Sequence, residues 1–142
     1  MENFKEIYVV ISYGGEYDDS WESVECAFNT KSRATNWINN RKYLANTIGE
    51  DKFKEIENFI YEKEDEIYNR YYNEETNELL EGKNDDDYRA ECNKFHDNVR
   101  FVLIENEFGI DKKTYEILEQ IFNISFTDYY IVKCPYLKEG AS

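Results

Sequence analysis

Cys92 and His96 stand four residues apart in a segment with helical periodicity, so their side chains share one face. A Cys and a His so placed can supply half of a zinc site. The other ligands would have to come from Cys26, Cys134 or a carboxylate, and no second pair has ligand spacing. The same two residues could act as nucleophile and base only with the thiol exposed in an electropositive pocket. Cys92 falls on an apolar stripe of an acidic chain, so its expected role is core packing, with His96 at the edge. Cys26, on a strand with Val24 and Phe28, is expected in the core as well. With a single His, acid–base work would pass to a carboxylate pair, and among 31 acids no pair stands out.

Two further segments have the look of ligand loops. Gly14-Gly15 follows an apolar run, as phosphate loops do, but no nucleotide-loop pattern surrounds it. Glu16, Asp18 and Asp19 would repel a phosphate, so a turn is the expected role. Asn84-Asp85-Asp86-Asp87 lacks the Gly and Glu that a calcium loop carries at its sixth and twelfth positions, and suits a helix N-terminus. The expectation is a non-enzymatic chain with no catalytic residues, no metal and no cofactor.

The 142 residues fit one domain, expected to span 1–142. The 31 acids against 17 bases give a formal charge of −14, which disfavours nucleic acid and anionic membrane and favours basic partners. Aromatic residues make up 17% of the chain, far from the composition of a disordered acidic segment. Three widely spaced cysteines read as reduced thiols. The N-terminus is polar through Asn3 and then enters an apolar run too short for a signal peptide or a membrane span. A cytoplasmic location is expected.

The elements follow from local pattern. Glu6–Tyr13 is apolar, β-branched and aromatic, as a central strand is. Trp21–Phe28 alternates, with Val24, Cys26 and Phe28 on one side and Ser23, Glu25 and Ala27 on the other. Asn29 or Thr30 can cap a helix carrying Ala34, Trp37, Ile38 and Leu44, which Gly49 stops. A second helix is expected over about 51–72, with Phe53, Ile56, Ile60, Ile67 and Tyr71 inward. Residues 73–84 lose periodicity and contain Gly82, and read as a mobile connection, with a short turn at Leu79-Leu80 as an option. A third helix is expected over 85–108, with Tyr88, Cys92, Phe95, Val99, Val102 and Leu103 inward. A fourth follows to about Phe122, capped by Asp111, with Tyr115, Leu118, Ile121 and Phe122 inward. A last strand covers 128–134 and is closed by Pro135. The order β-β-α-α-α-α-β predicts an α+β fold: a small sheet of the N-terminal hairpin plus the C-terminal strand, packed on about four helices. The terminal strand is expected beside the first, in a direction the sequence leaves open.

The acidity is regional. Residues 50–91 hold 16 acids and 6 bases, a net −10, and form an acidic helical insertion. One reading is a solvated helix face and loop that needs no partner. The other is an electrostatic decoy. Residues 50–66 carry eight carboxylates, one per ~3 Å of helix, against one charge per ~3.4 Å along a DNA strand. Tyr61, Tyr68, Tyr71, Tyr72 and Tyr88 are interleaved with these acids, more rings than one stripe buries. They either cover the neighbouring helices or face a partner rich in Arg and Lys. The candidate partner-binding residues are Glu55, Glu62, Glu64, Asp65, Glu66, Tyr68, Tyr72, Asp85, Asp86 and Asp87.

Gly15-Glu16-Tyr17-Asp18-Asp19 and Phe28-Asn29-Thr30-Lys31-Ser32-Arg33-Ala34 make up a strand, G-E-Y-x-D loop, strand, F-x-T-K-x-x-A helix pattern over about residues 7–38. In this it resembles a group of small uncharacterised phage and bacterial proteins. The shared residues are turn and cap positions, so the resemblance carries no active site. Resemblance and charge together imply a phage counter-defence factor, anti-CRISPR-like. Such a factor would act in the host cytoplasm and bind a basic nucleic-acid-handling protein, such as a CRISPR nuclease or complex, by possible nucleic-acid mimicry. The competing expectation is a regulatory or structural interaction module, possibly self-associating.

Overall fold

A computed structural model describes residues 4–122 and 125–137. The polar Met1-Glu2-Asn3 start lies outside them. The element order is β1 (Phe4–Gly14), β2 (Trp21–Phe28), α1 (Lys31–Ile48), α2 (Glu50–Tyr71), α3 (Asp85–Lys94), α4 (Arg100–Phe108), α5 (Lys112–Ile121) and β3 (Phe126–Leu137). This is the expected α+β order. Two compact units form, one from residues 1–48 and 117–142 and the other from residues 49–116. The second unit extends well past the acidic stretch at 50–91.

In the first unit the strands make one antiparallel sheet in the order β2-β1-β3. The most apolar strand lies in the centre, where both ladders bury its backbone. β3 pairs with β1 antiparallel and runs past the expected stop, since Pro135 lies opposite Glu6. An edge strand tolerates Pro because one side of its backbone has no ladder to feed.

Thr30 is the cap of α1, its hydroxyl oxygen accepting from the Arg33 N–H at 3.2 Å. α1 covers one face of the sheet. Ala34 is fully buried there with Val10 and Tyr129, and Trp37 stands edge-on to Tyr129 at 5.5 Å. The register slips between Val10 and Ile11, whose partners are Cys26 and Val24. Glu25 is therefore the extra residue of a β-bulge. This corrects the alternation expected for β2. Val24 is 69% exposed on the uncovered face, while Glu25 turns to the helix side with Cys26 and Phe28.

The second unit is helical. Gly49, at φ 87°, provides the left-handed turn that separates α2 from α1. Phe53, Ile56, Ile60 and Ile67 of α2 are buried as their spacing predicts. The third helix is not continuous. A five-residue π-helical turn, Phe95–Val99, separates α3 from α4. Its i→i+5 bonds break the 3.6-residue repeat, so the stripe expected through Val102 and Leu103 does not carry on. Val102 is 57% exposed, and Phe101 and Ile104 are buried in its place. Phe101 and Phe53 both meet the Tyr115 ring at 6.0 Å. Asp111 caps α5, accepting from the Thr114 N–H at 2.8 Å.

The connection at 73–84 is closed by hydrogen bonds, including at Leu79-Leu80, where the sequence allows a short turn. Asn73 N–H donates to Glu78 O and Leu80 N–H to Tyr71 O, both at 2.8 Å, and Tyr72 bridges Leu79.

Candidate partner-binding surface

The acids of α2 do not form one even coat. Asp51, Glu55, Glu62, Asp65 and Glu66 recur at steps of three, four and seven, which places them on one side of a helix. All five are exposed, as are Asn58 and Asn69 between and after them. This side lies opposite the buried Phe53, Ile56, Ile60 and Ile67. Lys52 and Lys63 flank the stripe and pair with Glu55 and Glu66, each at 3.5 Å. Among the described residues no ion pair includes Asp51, Glu62 or Asp65. Glu64 lies off the stripe, half-buried, 3.7 Å from the His96 ring.

The stripe runs over 16 residues, Asp51 to Glu66, so its five carboxylates come one per ~5–6 Å. That is sparser than the ~3.4 Å of a nucleic-acid strand. Counting every acid along the helix overstated the density that one partner meets.

The tyrosines are spent largely on one another. Tyr68 and Tyr72 stack at 4.9 Å with rings 8° from parallel, and Tyr88 meets Tyr68, Tyr71 and Tyr72 at 6.0, 5.7 and 5.2 Å. Their hydroxyls already have partners. Tyr68 donates to Asn77 at 2.7 Å, Tyr72 to Asp85, and Tyr71 to Glu91. The hydrogen bond to Glu91 is the main reason Tyr71 is harder to ionise than usual, and the bond to Asp85 does the same for Tyr72. Burial, then a bond with the Cys92 sulfur, pushes Tyr88 up to about 12. Glu91 is held below the usual carboxylate range, chiefly by the Tyr71 hydroxyl and also by Arg70.

The structure thus brings Tyr68, Tyr72 and Asp85 together as an internal clasp between the end of α2 and the start of α3. Asp86 and Asp87 remain exposed at the α3 N-terminus, where Asn84 caps the helix through the Asp87 N–H at 2.8 Å.

A polar cluster that local pattern does not reveal lies in the sheet unit. Ser12, fully buried, donates to Glu25 at 2.6 Å. The Gln120 amide also donates to Glu25 at 2.6 Å, and its oxygen accepts from Arg41 at 2.7 Å. Arg41 lies over the Trp37 ring at 4.2 Å. Burial pushes the Cys26 thiol up, with Arg41 opposing, and burial likewise pushes up Tyr129. A Ser beside a carboxylate has the parts of an activated nucleophile, but here Ser12 is fully buried, closed off from solvent. The cluster gives Ser12, Gln120 and one terminal nitrogen of Arg41 their partners, and the buried Arg41 Nε is left without one.

Cys92 is half-buried and His96 exposed. Among the described residues no three His, Cys, Asp or Glu side chains are placed to hold a metal, and no helix is long and apolar enough to cross a membrane. Comparison with protein-family models, with curated proteins and with solved structures finds no match to this chain.

Proposed function

We propose that this chain is a non-enzymatic binding protein that inhibits a basic, nucleic-acid-handling protein by covering its cationic surface. The outer side of α2 makes the contact, extended by Asp86 and Asp87 at the start of α3. The carrying observation is the exposed stripe Asp51-Glu55-Glu62-Asp65-Glu66, opposite the buried Phe53, Ile56, Ile60 and Ile67, with three of its carboxylates in no ion pair among the described residues. An unpaired carboxylate row on a rigid helix steers a cationic partner and fixes its register. Such surfaces belong to proteins that hold nucleic-acid backbones. The anti-CRISPR-like class implied by the N-terminal resemblance fits this chemistry. The wide carboxylate spacing favours pairing with individual Lys and Arg side chains over mimicry of a continuous strand.

The test is Glu62→Lys with Asp65→Lys, against affinity measured over a salt series with a basic nucleic-acid-binding effector. Binding should fall at least ten-fold in the double variant, and wild-type affinity should drop steeply with salt. Unchanged binding by the reversed protein would sink the reading.

One observation favours a second reading, a self-associating module. Among the described residues of the sheet unit no helix packs on the face formed by Ile7, Val9, Ile11, Val24, Tyr130 and Val132, and Val24 is 69% exposed. Lys5 and Glu22 stand at opposite ends of this face. A twofold that reverses the strands would set unlike charges together in a copy-to-copy contact. Sedimentation of wild type against Val24→Lys decides it. A monomer at all concentrations excludes this reading.

A further inference from the structure

Trp21, Gly14 and Phe126 are cross-strand neighbours, one from each strand of the sheet. Paired residues point to one face. Gly14 has no side chain to offer, and the Ser125 backbone oxygen takes the place a Cβ would fill. The row therefore has an aromatic side chain at each end and backbone at its centre. The β1–β3 register slips here, with Tyr13 opposite Asp128 and Gly14 opposite Phe126, so Thr127 is the extra residue of a bulge. A hollow of about 690 Å³ opens at this end of the sheet. Trp21, Phe126 and Thr127 line it from the strands, and Gly15, Glu16 and Asp19 from the loop between β1 and β2. Trp21 is half-buried, yet among the described residues its indole has no ring neighbour and its N–H no acceptor. The chain's other tryptophan, Trp37, is fixed by Tyr129 and Arg41.

We infer that this hollow binds a guanidinium group, stacked on the Trp21 ring and held by the Glu16 and Asp19 carboxylates. No base lines the hollow, and among the described residues neither acid enters an ion pair. The loop fixes both acids through its backbone. Asp19 N–H donates to Glu16 O at 3.0 Å, and Gly15 N–H to Ser125 O at 2.6 Å. Their side chains stay exposed. An anion would meet only like charge here. A divalent metal needs more ligands, and no three acidic, His or Cys side chains are placed for one among the described residues. Indole is the strongest ring for a cation. A guanidinium suits it better than an ammonium, because it is flat, weakly hydrated and carries in-plane donors that reach carboxylates while its face stacks. The site belongs to the sheet unit alone, so it stands or falls independently of the α2 reading.

The probe is N-acetyl-arginine amide, compared with N-acetyl-citrulline amide, its neutral isostere. Heteronuclear NMR titrations of the full chain follow the indole N–H signals of Trp21 and Trp37 and the Gly15 amide. The arginine probe should shift Trp21 and Gly15 saturably and leave Trp37 in place, and citrulline should bind at least ten-fold more weakly. Glu16→Gln with Asp19→Asn should weaken arginine binding at least ten-fold, and so should Trp21→Ala, read at Gly15. The acid pair is exposed, so it decides the matter if Trp21→Ala fails to fold. Glu62→Gln with Asp65→Asn removes the same charge from α2 and should leave the Trp21 titration unchanged. Methylguanidinium distinguishes the sources. Equal affinity assigns the site to small guanidino compounds and weaker affinity to an arginine displayed by a protein, and both uphold it. The inference is overturned if the Trp21 shift does not saturate, if citrulline binds as well as arginine, or if the α2 pair weakens binding as much as the loop pair, which would mean diffuse charge alone.

Discussion

Gln120 on α5 donates to Glu25 on β2 at 2.6 Å, joining residues 95 positions apart. Glu25 also accepts from buried Ser12, and the Gln120 oxygen holds Arg41. One carboxylate at a β-bulge therefore organises polar groups from β1, β2, α1 and α5. Removing it leaves buried Ser12 with only the long 3.4 Å bond to the Ser23 carbonyl and takes the acceptor from half-buried Gln120. Glu25→Ala should destabilise the protein by about 2–3 kcal/mol, the scale of unpaired buried donors. Urea unfolding measures this, and a midpoint unchanged from wild type would contradict the assigned role.

Tyr88 provides an alkaline signature. Its folded pKa is raised to about 12, by burial first. A raised value means the stabilisation is complete below the ordinary tyrosine pKa and is lost as pH climbs through the folded one. The helical signal should hold past pH ~10 and collapse as the last tyrosinate forms. Tyr88→Phe keeps the ring and should remove that final step in tyrosinate absorbance. A single step near the ordinary value for all thirteen tyrosines would refute the clasp.

Glu91 gives the matching acid limb. The Tyr71 hydroxyl and Arg70 hold it below its ordinary 4.5. A lowered value means the stabilisation is present above that ordinary pKa and fades as pH drops through the folded one. The midpoint of thermal unfolding should fall below pH ~4.5 with a slope that Glu91→Gln reduces. An identical slope in the variant would assign the acid limb to other groups.

Salt should act in opposite directions on stability and on binding. A charge of −14 makes the folded chain repel itself. At 0.1 M the screening length is about 10 Å, so added salt should raise the unfolding midpoint while weakening attachment to a basic partner. Parallel melts and titrations in sodium chloride check both. A stability that falls with salt would mean that the ion pairs outweigh the repulsion.

Gly14 tests the close approach at the end of the sheet. A Cβ there would run into the backbone oxygen of Ser125, which accepts from the Gly15 N–H at 2.6 Å. Gly14→Ala should cost about 3 kcal/mol, the upper end of overpacking, because backbone cannot rotate aside. Native-like stability of this variant would show that β1 and β3 can separate there without loss.

Local order was legible in the residues themselves. The apolar run of β1, the spacing of Phe53, Ile56, Ile60 and Ile67, and the caps at Thr30, Asn84 and Asp111 each act within a few positions of chain. So did the concentration of acid at 50–91. Tertiary structure decided the rest. Glu25 faces inward because a bulge in one ladder shifts its register, which no alternation of residue types announces. Val102 faces out because a π turn resets the helix when α4 meets Tyr115. Tyr68 and Tyr72, expected at a partner's surface, close on Tyr88 from the next helix. Of eight acids counted between 50 and 66, Asp51, Glu55, Glu62, Asp65 and Glu66 share the exposed side, because the opposite side of α2 is buried. Sequence spacing sets which side chains share a face. Which faces are buried, and which remain for a partner, depends on contacts between residues far apart in the chain.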